Sequence, residues 1–148
     1  MLDGLFVTPA VTAINEALAS AGAEGKLVVV GNAKLAAALQ TKHTVIPVGL
    51  SPRAAKKLPG TLDDTSTLEA GSCAAVIGID VTADDTWQAA LGEWTRVVKD
   101  GGAIVLVDRG NASEASRRAL CAGLTEIEQR HAGRAVVTSG LVSHLERT

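Results

Sequence analysis

The sequence predicts an α/β fold: a doubly wound, mainly parallel sheet that ends in an antiparallel strand pair. Three observations lead to it: short apolar runs of strand length, amphipathic stretches between those runs, and helix-start signals after several of them. Strands that alternate with helices form parallel sheets, because each crossover carries the chain back to the same edge. The 148 residues fit one domain, 1–148, with an Ala-, Val-, Leu- and Ile-rich core.

The first half of the chain begins with a predicted helix. Thr8 and Pro9 form a cap followed by proline at the first helical position, and Val11, Ile14 and Leu18 recur at helical spacing until about residue 22. Pro47 lacks an N–H, which indicates the end of its strand or a ladder position that needs no donor. The remaining predicted elements are a strand at 26–31, a helix at 33–40, a strand at 43–49, a helix at 51–58 and a very short strand near Leu62.

The second half begins with a predicted strand at 74–79. Asp84 and Asp85 cap the longest predicted helix, which runs to about residue 99 and is ended by Gly101 and Gly102. Asn111, with Glu114 three residues later, has the spacing of a capping box. The remaining predicted elements are a strand at 103–107, a helix at 111–123, and strands at 126–130 and 135–138 with a turn at Gly133.

Composition argues against several functions. The chain has one Phe, two Trp and no Tyr, and its net charge is −2, so we expect no nucleic-acid binding. The first residues lack the pattern of a signal peptide, and no apolar run is long enough to cross a membrane, so we expect a cytoplasmic protein without membrane contact. Cys73 and Cys121 lack metal-site spacing and are expected to be reduced, and the three histidines lack ligand spacing.

One segment resembles a known family. Residues 71–108 read GSCAAVIGID, a polar linker, and then WQAALGEWTRVVKDGGAIVLVD. This pattern is similar to the fourth strand, the following helix and the fifth strand of class I S-adenosylmethionine-dependent methyltransferases. Upstream, VIPVGLSPRAAKKL is similar to the family's second strand and helix. The resemblance implies a Rossmann-like sheet of the methyltransferase type over most of the chain.

The resemblance also implies where a cofactor would bind. The family's glycine-rich loop corresponds here to Gly31, Asn32 and Ala33, a loop that is shorter and keeps only its first glycine. The acidic residue that holds the cofactor ribose corresponds to Gly49. Asp63 or Asp64 remains as a candidate for the adenine side. We therefore expect a degenerate site at Gly31, Asn32, Gly49 and Asp63, with no bound cofactor.

Two further groups of residues are candidates for function. Asp80 and Asp108 end strands and are either catalytic bases or strand-end caps. Trp87 lies at the start of a helical stripe and either covers the core edge or anchors a partner protein. Together with Val11, Ile14 and Leu18, and with the segment 141–145, it is a candidate for a protein interface.

These observations leave three functions open. The first is a pseudoenzyme that keeps the methyltransferase fold as a protein-binding or scaffold module, either self-associating or docked on a partner. The second is a working minimal methyltransferase that binds S-adenosylmethionine through an atypical loop. The third is a small-molecule sensor. We expect no catalytic residues and no metal site under the first.

Overall fold

The computed structural model describes residues 2–58 and 60–144, and only the backbone for residues 2–8. In chain order the elements are α1 (Leu2–Ala21), β1 (Leu27–Val30), α2 (Ala33–Leu39), β2 (Val45–Val48), α3 (Pro52–Ala55), β3 (Cys73–Ile79), a 3₁₀ turn (Val81–Ala83), α4 (Trp87–Val97), β4 (Val98–Asp108), α5 (Ala112–Cys121), β5 (Thr125–Ala132) and β6 (Ala135–Leu141). The strands form one sheet in the order β2-β1-β3-β4-β6-β5. Strands β1 to β4 are parallel, and β6 runs antiparallel to both of its neighbours. The predicted fold class is confirmed.

The centre of the sheet is buried on both faces. Val28 and Val29 in β1 and the four residues from Ile104 to Val107 in β4 have no exposed surface. Such strands read as continuous apolar runs because helices cover both faces of a parallel sheet. Each fully buried side chain of this size contributes about 1.5–3 kcal/mol relative to exposure. These two runs therefore fix the middle of the sheet.

Strand β2 lies at the edge of the sheet, where Pro47 occupies a ladder position that needs no donor. The only neighbour on its outer side, among the described residues, is a single parallel bridge between Val48 and Leu62. The Leu62 N–H donates to the Pro47 carbonyl at 2.9 Å. Pro47 thus accepts a hydrogen bond and has no N–H to leave unpaired. The short strand expected near Leu62 is reduced to this bridge.

Helices cover the two faces of the sheet with two apolar layers. Helices α1 and α2 pack on one face, and α4 and α5 pack on the other. The indole of Trp94 in α4 lies directly on Gly78 of β3, where a Cβ would overlap the ring. A glycine at this position lets the largest side chain of that layer lie flat against the sheet.

The predicted start of α1 is wrong. The helix already begins at Leu2, and Pro9 lies within it. A Thr-Pro pair marks a helix start only where the preceding residues leave the helix, and here they continue it. Pro9 removes one backbone hydrogen bond without ending the helix. The predicted end is close to the observed one, since Gly22 adopts a positive φ of 66°.

The predicted boundary between α4 and β4 is also wrong. Helix α4 ends at Val97, because Val98 is extended and already pairs with Cys73 of β3. Gly101 and Gly102 therefore lie within the strand. Gly101 has a φ of +81°, whereas a Cβ on Gly102 would lie 2.5 Å from the Ala74 carbonyl oxygen. The first glycine is required by backbone conformation and the second by close packing.

Three smaller differences concern helices. Asn111 precedes α5 in a left-handed conformation and makes no capping hydrogen bond with its side chain, so the predicted capping box is wrong. Asp84 accepts hydrogen bonds from the N–H and hydroxyl of Thr86 and forms a turn before α4, rather than capping it. Ser51 caps α3 as expected, although that helix ends at Ala55. The longest helix is α1, with 20 residues, and not α4.

Candidate functional site

The carboxyl end of β1 is followed by a two-residue turn. Gly31 has a φ of +82°, and its N–H donates to the Val48 carbonyl at 2.9 Å. Asn32 then caps α2, with its side-chain oxygen accepting from the Leu35 N–H at 2.8 Å. The capping bond satisfies one of the backbone donors that a helix start would otherwise direct at a ligand. The side chain of Asn32 in this short loop thus occupies a backbone donor that a ligand could otherwise use.

The carboxyl end of β2 is also closed by its own backbone. Gly49 has a φ of +70°, and its N–H donates to the Leu62 carbonyl at 3.0 Å. A Cβ here would be 4.0 Å from the Asp63 carbonyl oxygen, so there is space for a side chain. The left-handed conformation, however, costs an L-residue roughly 1–2 kcal/mol. The backbone as well as the sequence therefore disfavours an acidic residue at this position.

The structure brings the four predicted site residues to the same edge of the sheet. Asn32 follows Gly31, and Asp63 lies beside Gly49 and is exposed. The neighbouring Asp64 accepts two hydrogen bonds from Ser66, which lower the pKa of its carboxyl. The backbone of Asp63 thus lies beside Gly49 at the end of β2, whereas the carboxylate of Asp64 is bonded to Ser66.

The carboxyl end of β4 is built around a buried carboxylate. Asp108 has no exposed surface, and one of its oxygens accepts from the N–H and the hydroxyl of Thr82 at 2.9 and 3.0 Å. The other oxygen is buried without a hydrogen-bond partner among the described residues. Burial raises the pKa of Asp108, while the bonds from Thr82 oppose the rise. Asp108 caps the 3₁₀ turn, the second of the two roles that its strand-end position predicted.

Asp80 reaches this edge in a strained conformation. It follows β3 with a φ of 54°, and its N–H donates to the Val107 carbonyl at 2.8 Å. Asn111 is left-handed as well, with a φ of 58°. Non-glycine residues in this region are uncommon and persist where surrounding contacts determine them. Here Asp80 is bonded to Val107 and to the 3₁₀ turn, and the side chain of Asn111 bonds to Thr82 in the same turn.

An arginine that sequence reasoning missed ties this turn to α5. Arg118 donates to the carbonyls of Val81 and Asp84 at 2.5 and 3.2 Å and to Glu114 at 2.6 Å. Arg117 also binds Glu114, and the two guanidinium groups hold the pKa of that carboxyl at about 2. The Glu-x-x-Arg-Arg spacing of α5 signals the pairs with Glu114 but not the bonds across to the turn.

Arg117 and Arg118 also lie over the indole ring of Trp87. Their guanidinium carbons lie 5.7 and 5.0 Å from the ring centre, within the range of cation–π contacts. The indole is half-buried and packs on the α4–α5 core layer. The structure places Trp87 at the edge of the core, and its role as a partner anchor stays a prediction. Leu120, 65% exposed, is the large apolar side chain that protrudes most clearly among the described residues, and the sequence analysis did not single it out.

The other interface candidates lie largely inside the chain. Ile14 and Leu18 are 0% and 3% exposed and belong to the core layer beneath α1, and Val11 is half-buried against it. Ile14 and Leu18 therefore present no surface to a partner, and the hypothesis that they do is withdrawn. The segment 141–145 ends outside the described residues, and its last described position, His144, bonds to the Val98 carbonyl at 2.7 Å.

Metal-binding and membrane-spanning features were sought in the described part of the chain. No three His, Cys, Asp or Glu side chains lie close enough together there to hold a metal ion. None of the helices in the same residues combines the length and the apolar character that crossing a membrane requires.

Comparison with known proteins gives a fold and no closer relative. No protein-family model matches the chain, and no curated protein matches its sequence. Many solved structures match, and all those named here cover at least 90% of both chains. A chain from the complex between the Haloferax volcanii Trm112 methyltransferase activator and a methyltransferase has 14% identity, a TM-score of 0.71, and coverage of 91% of this chain and 90% of that one.

Two further structures are described as S-adenosylmethionine-dependent methyltransferases. The one from Methanococcus maripaludis has 11% identity and a TM-score of 0.74, covering 97% of this chain and 90% of that chain. The one from Thermotoga maritima has 17% identity and a TM-score of 0.71, covering 95% and 93%. The chain therefore has the class I methyltransferase fold.

Proposed function

We propose that this chain is a methyltransferase-fold module that does not use S-adenosylmethionine and acts by binding protein, either a partner or a second copy of itself. The observation that carries the proposal is the edge formed by β1 and β2. Gly49 stands where the family's ribose-holding acid belongs, in a backbone conformation that disfavours any side chain. Asn32 closes the loop where the cofactor's methionine part would lie.

The expected loss of cofactor affinity is large. A hydrogen bond to a charged group contributes about 1.5–3 kcal/mol, so the loss of two bonds to a ribose costs roughly 3–6 kcal/mol. This corresponds to about a hundredfold to ten-thousandfold weaker binding. A site of micromolar affinity would become one of millimolar affinity or weaker. Calorimetry with S-adenosylmethionine and S-adenosylhomocysteine tests this half of the proposal.

The protein-binding half has support from the surface between α4 and α5. A cavity of about 270 Å³ lies there beside Trp87, Leu91 and Cys121, and the exposed Leu120 is next to it in the chain. The cavity and Leu120 together form the apolar surface that we assign to the partner. One structural neighbour is a chain from a complex with an activator protein, which is a precedent for this fold in a hetero-complex.

Sedimentation equilibrium of the isolated chain at about 100 μM, with affinity capture from its own cells, tests association. We expect a dimer or one captured partner. Leu120→Ser is expected to weaken association tenfold or more without changing thermal unfolding, because Leu120 is exposed. Ala19→Ser, at an exposed position of α1 on the opposite face, is the control. A strict monomer that captures nothing would leave the scaffold function without support.

A working methyltransferase remains the second candidate, and two observations favour it. Gly31 keeps the positive φ that lets a backbone approach a ligand closely, and Asp63 lies at the same edge as Gly49. The structural neighbours described as methyltransferases point the same way. Methyl transfer that is lost in Asp63→Asn, in a chain that still folds, would establish this function over the first.

A further inference from the structure

A groove between α2 and α3 has the size of a small-molecule site. Its volume is about 480 Å³, within the roughly 300–1,000 Å³ of ligand pockets. Its lining includes the apolar side chains of Ala37, Ala54 and Leu58. Arg53 and Lys57 also line it from the α3 side. Lys34 lines it from α2, so the groove combines an apolar surface with three cations.

The charge of the chain is unevenly distributed around this groove. Residues 25–62 contain six of the fourteen basic residues and none of the sixteen acidic ones, so the rest of the chain has eight basic and sixteen acidic residues. Lys26 and Lys42 lie at the amino end of the sheet, beside a separate cavity. The other four, Lys34, Arg53, Lys56 and Lys57, lie on α2 or on the segment that contains α3. The lining of the groove includes three of these basic residues and no acidic one, so it attracts anions.

Arg53 and Lys57 are placed to share one anion. They are four residues apart in a continuous helical turn, and both are exposed. Neither side chain makes a hydrogen bond or ion pair within the described ranges 2–58 and 60–144. Like charges at this spacing repel each other. A doubly charged group between them would remove the repulsion, and a guanidinium binds phosphate through two parallel hydrogen bonds.

We propose that the α2–α3 groove binds a small phosphate monoester, with the phosphate between Arg53 and Lys57 and an apolar body over Ala37, Ala54 and Leu58. A single-stranded nucleic acid fits less well, because stacking requires aromatic side chains and the groove is lined by none. The site is distinct from the positions at Gly31, Gly49 and Asp63. It does not rest on the proposed protein-binding function.

Amide NMR spectra during a titration test the site, with 1-naphthyl phosphate as the probe and 1-naphthol as the control without charge. We expect saturable binding of the phosphate with a Kd below about 1 mM at low salt, weakened by added salt. The shifted amides should be those of residues 33–37 and 51–58. Equal affinity for naphthol, shifts centred on Gly31 and Gly49, or no saturation would each overturn the proposal.

A pair of double variants isolates the two cations. Arg53→Gln with Lys57→Gln is expected to weaken naphthyl phosphate binding tenfold or more, since two charge-assisted bonds are lost. Lys26→Gln with Lys42→Gln makes the same change in net charge at the other edge and should weaken binding less than twofold. Thermal unfolding should be unchanged in both, because these side chains are exposed. Equal losses in the two variants would show a general effect of charge and contradict the site. Tighter binding of a dodecanucleotide than of naphthyl phosphate would contradict the small-ligand assignment.

Discussion

At the ends of β1 and β2 the chain turns on exposed glycines, whereas at the ends of β3 and β4 it turns around a buried carboxylate. The backbone N–H groups of Gly31 and Gly49 each donate one hydrogen bond to a carbonyl of a neighbouring segment. Asp108 instead binds Thr82 with its side chain, and Arg118 fastens the same turn to α5. The first half of the edge is where the family's cofactor contacts belong. The second half is held by contacts that serve the fold.

A chain can differ from its family's pattern at residues that contact a cofactor or at residues that support the fold, and the two halves of this edge illustrate the difference. A cofactor contact can be lost without harm to the fold, because no other residue depends on it. The network around Asp108 and Arg118 bonds one oxygen of a buried carboxylate and joins two elements, so a change in it should also cost stability. Substitutions in the β3–β4 half should therefore cost more stability than substitutions in the β1–β2 half.

The largest expected effect is on the β3–β4 half. Trp94 is 7% exposed and packs on Gly78, so Trp94→Ala should lower the free energy of unfolding by about 3–5 kcal/mol, as large core deletions do. Gly49→Ala, on the other half, should cost only about 1–2 kcal/mol from its positive φ. Urea unfolding measures both. Equal losses would contradict the contrast between the halves.

Removal of Arg118 is expected to have the next largest effect. Arg118→Ala leaves the carbonyls of Val81 and Asp84 without their described side-chain donor, and should cost about 1–3 kcal/mol. Arg53→Ala removes an exposed guanidinium on the β1–β2 half and should change stability by less than about 0.5 kcal/mol. If the two variants unfold at the same urea concentration, Arg118 does not hold the turn.

The free energy of unfolding should depend on pH through Asp108, which lies in the β3–β4 half of the edge. Burial raises the pKa of Asp108, so the folded state binds its proton more tightly than the unfolded state. Its contribution to stability is therefore fully present below the ordinary Asp pKa and is lost as the pH rises through the raised value. Asp108→Asn, which cannot titrate, should remove this loss. An unchanged slope of unfolding free energy above about pH 4, the ordinary range of an Asp carboxyl, would contradict the shift.

The contribution of Glu114 to stability should change with pH in the opposite direction. Its pKa is lowered to about 2 by Arg117 and Arg118, so its contribution is present above the ordinary Glu pKa and is lost as the pH falls toward about 2. Glu114→Gln should flatten the acid limb of the stability profile, by a small amount because the carboxylate is partly exposed. Urea midpoints from pH 5 to pH 2 test it. A wild-type acid limb in this variant would show that other carboxylates dominate.

The sheet was predictable from the sequence because its signals are redundant. Each central strand is a continuous apolar run, and the helices between them leave a parallel arrangement as the consistent one. Helix boundaries were less predictable, because Thr8, Gly101 and Asn111 lie in patterns that fit several local conformations. Whether the chain continues as helix before Pro9 or as strand before Gly101 depends on packing partners far along the sequence.

The surface and the site were predictable in part. Gly31, Gly49 and Asp63 meet at one edge as expected, because the carboxyl ends of parallel strands converge there. An apolar stripe such as Ile14 and Leu18, however, looks the same whether it faces the core or a partner. The cross-element bonds of Arg118 join residues more than thirty positions apart, and no local pattern reports them.

The proposed function requires that the β1–β2 half of the edge does not hold S-adenosylmethionine, and isothermal titration calorimetry tests this most directly. The wild-type chain should give no isotherm below about 100 μM for S-adenosylmethionine or S-adenosylhomocysteine, given the two lost ribose bonds. Gly49→Asp alone should not restore binding, because the loop closed by Asn32 remains. A saturable wild-type isotherm at low micromolar affinity would contradict the claim and favour the working methyltransferase.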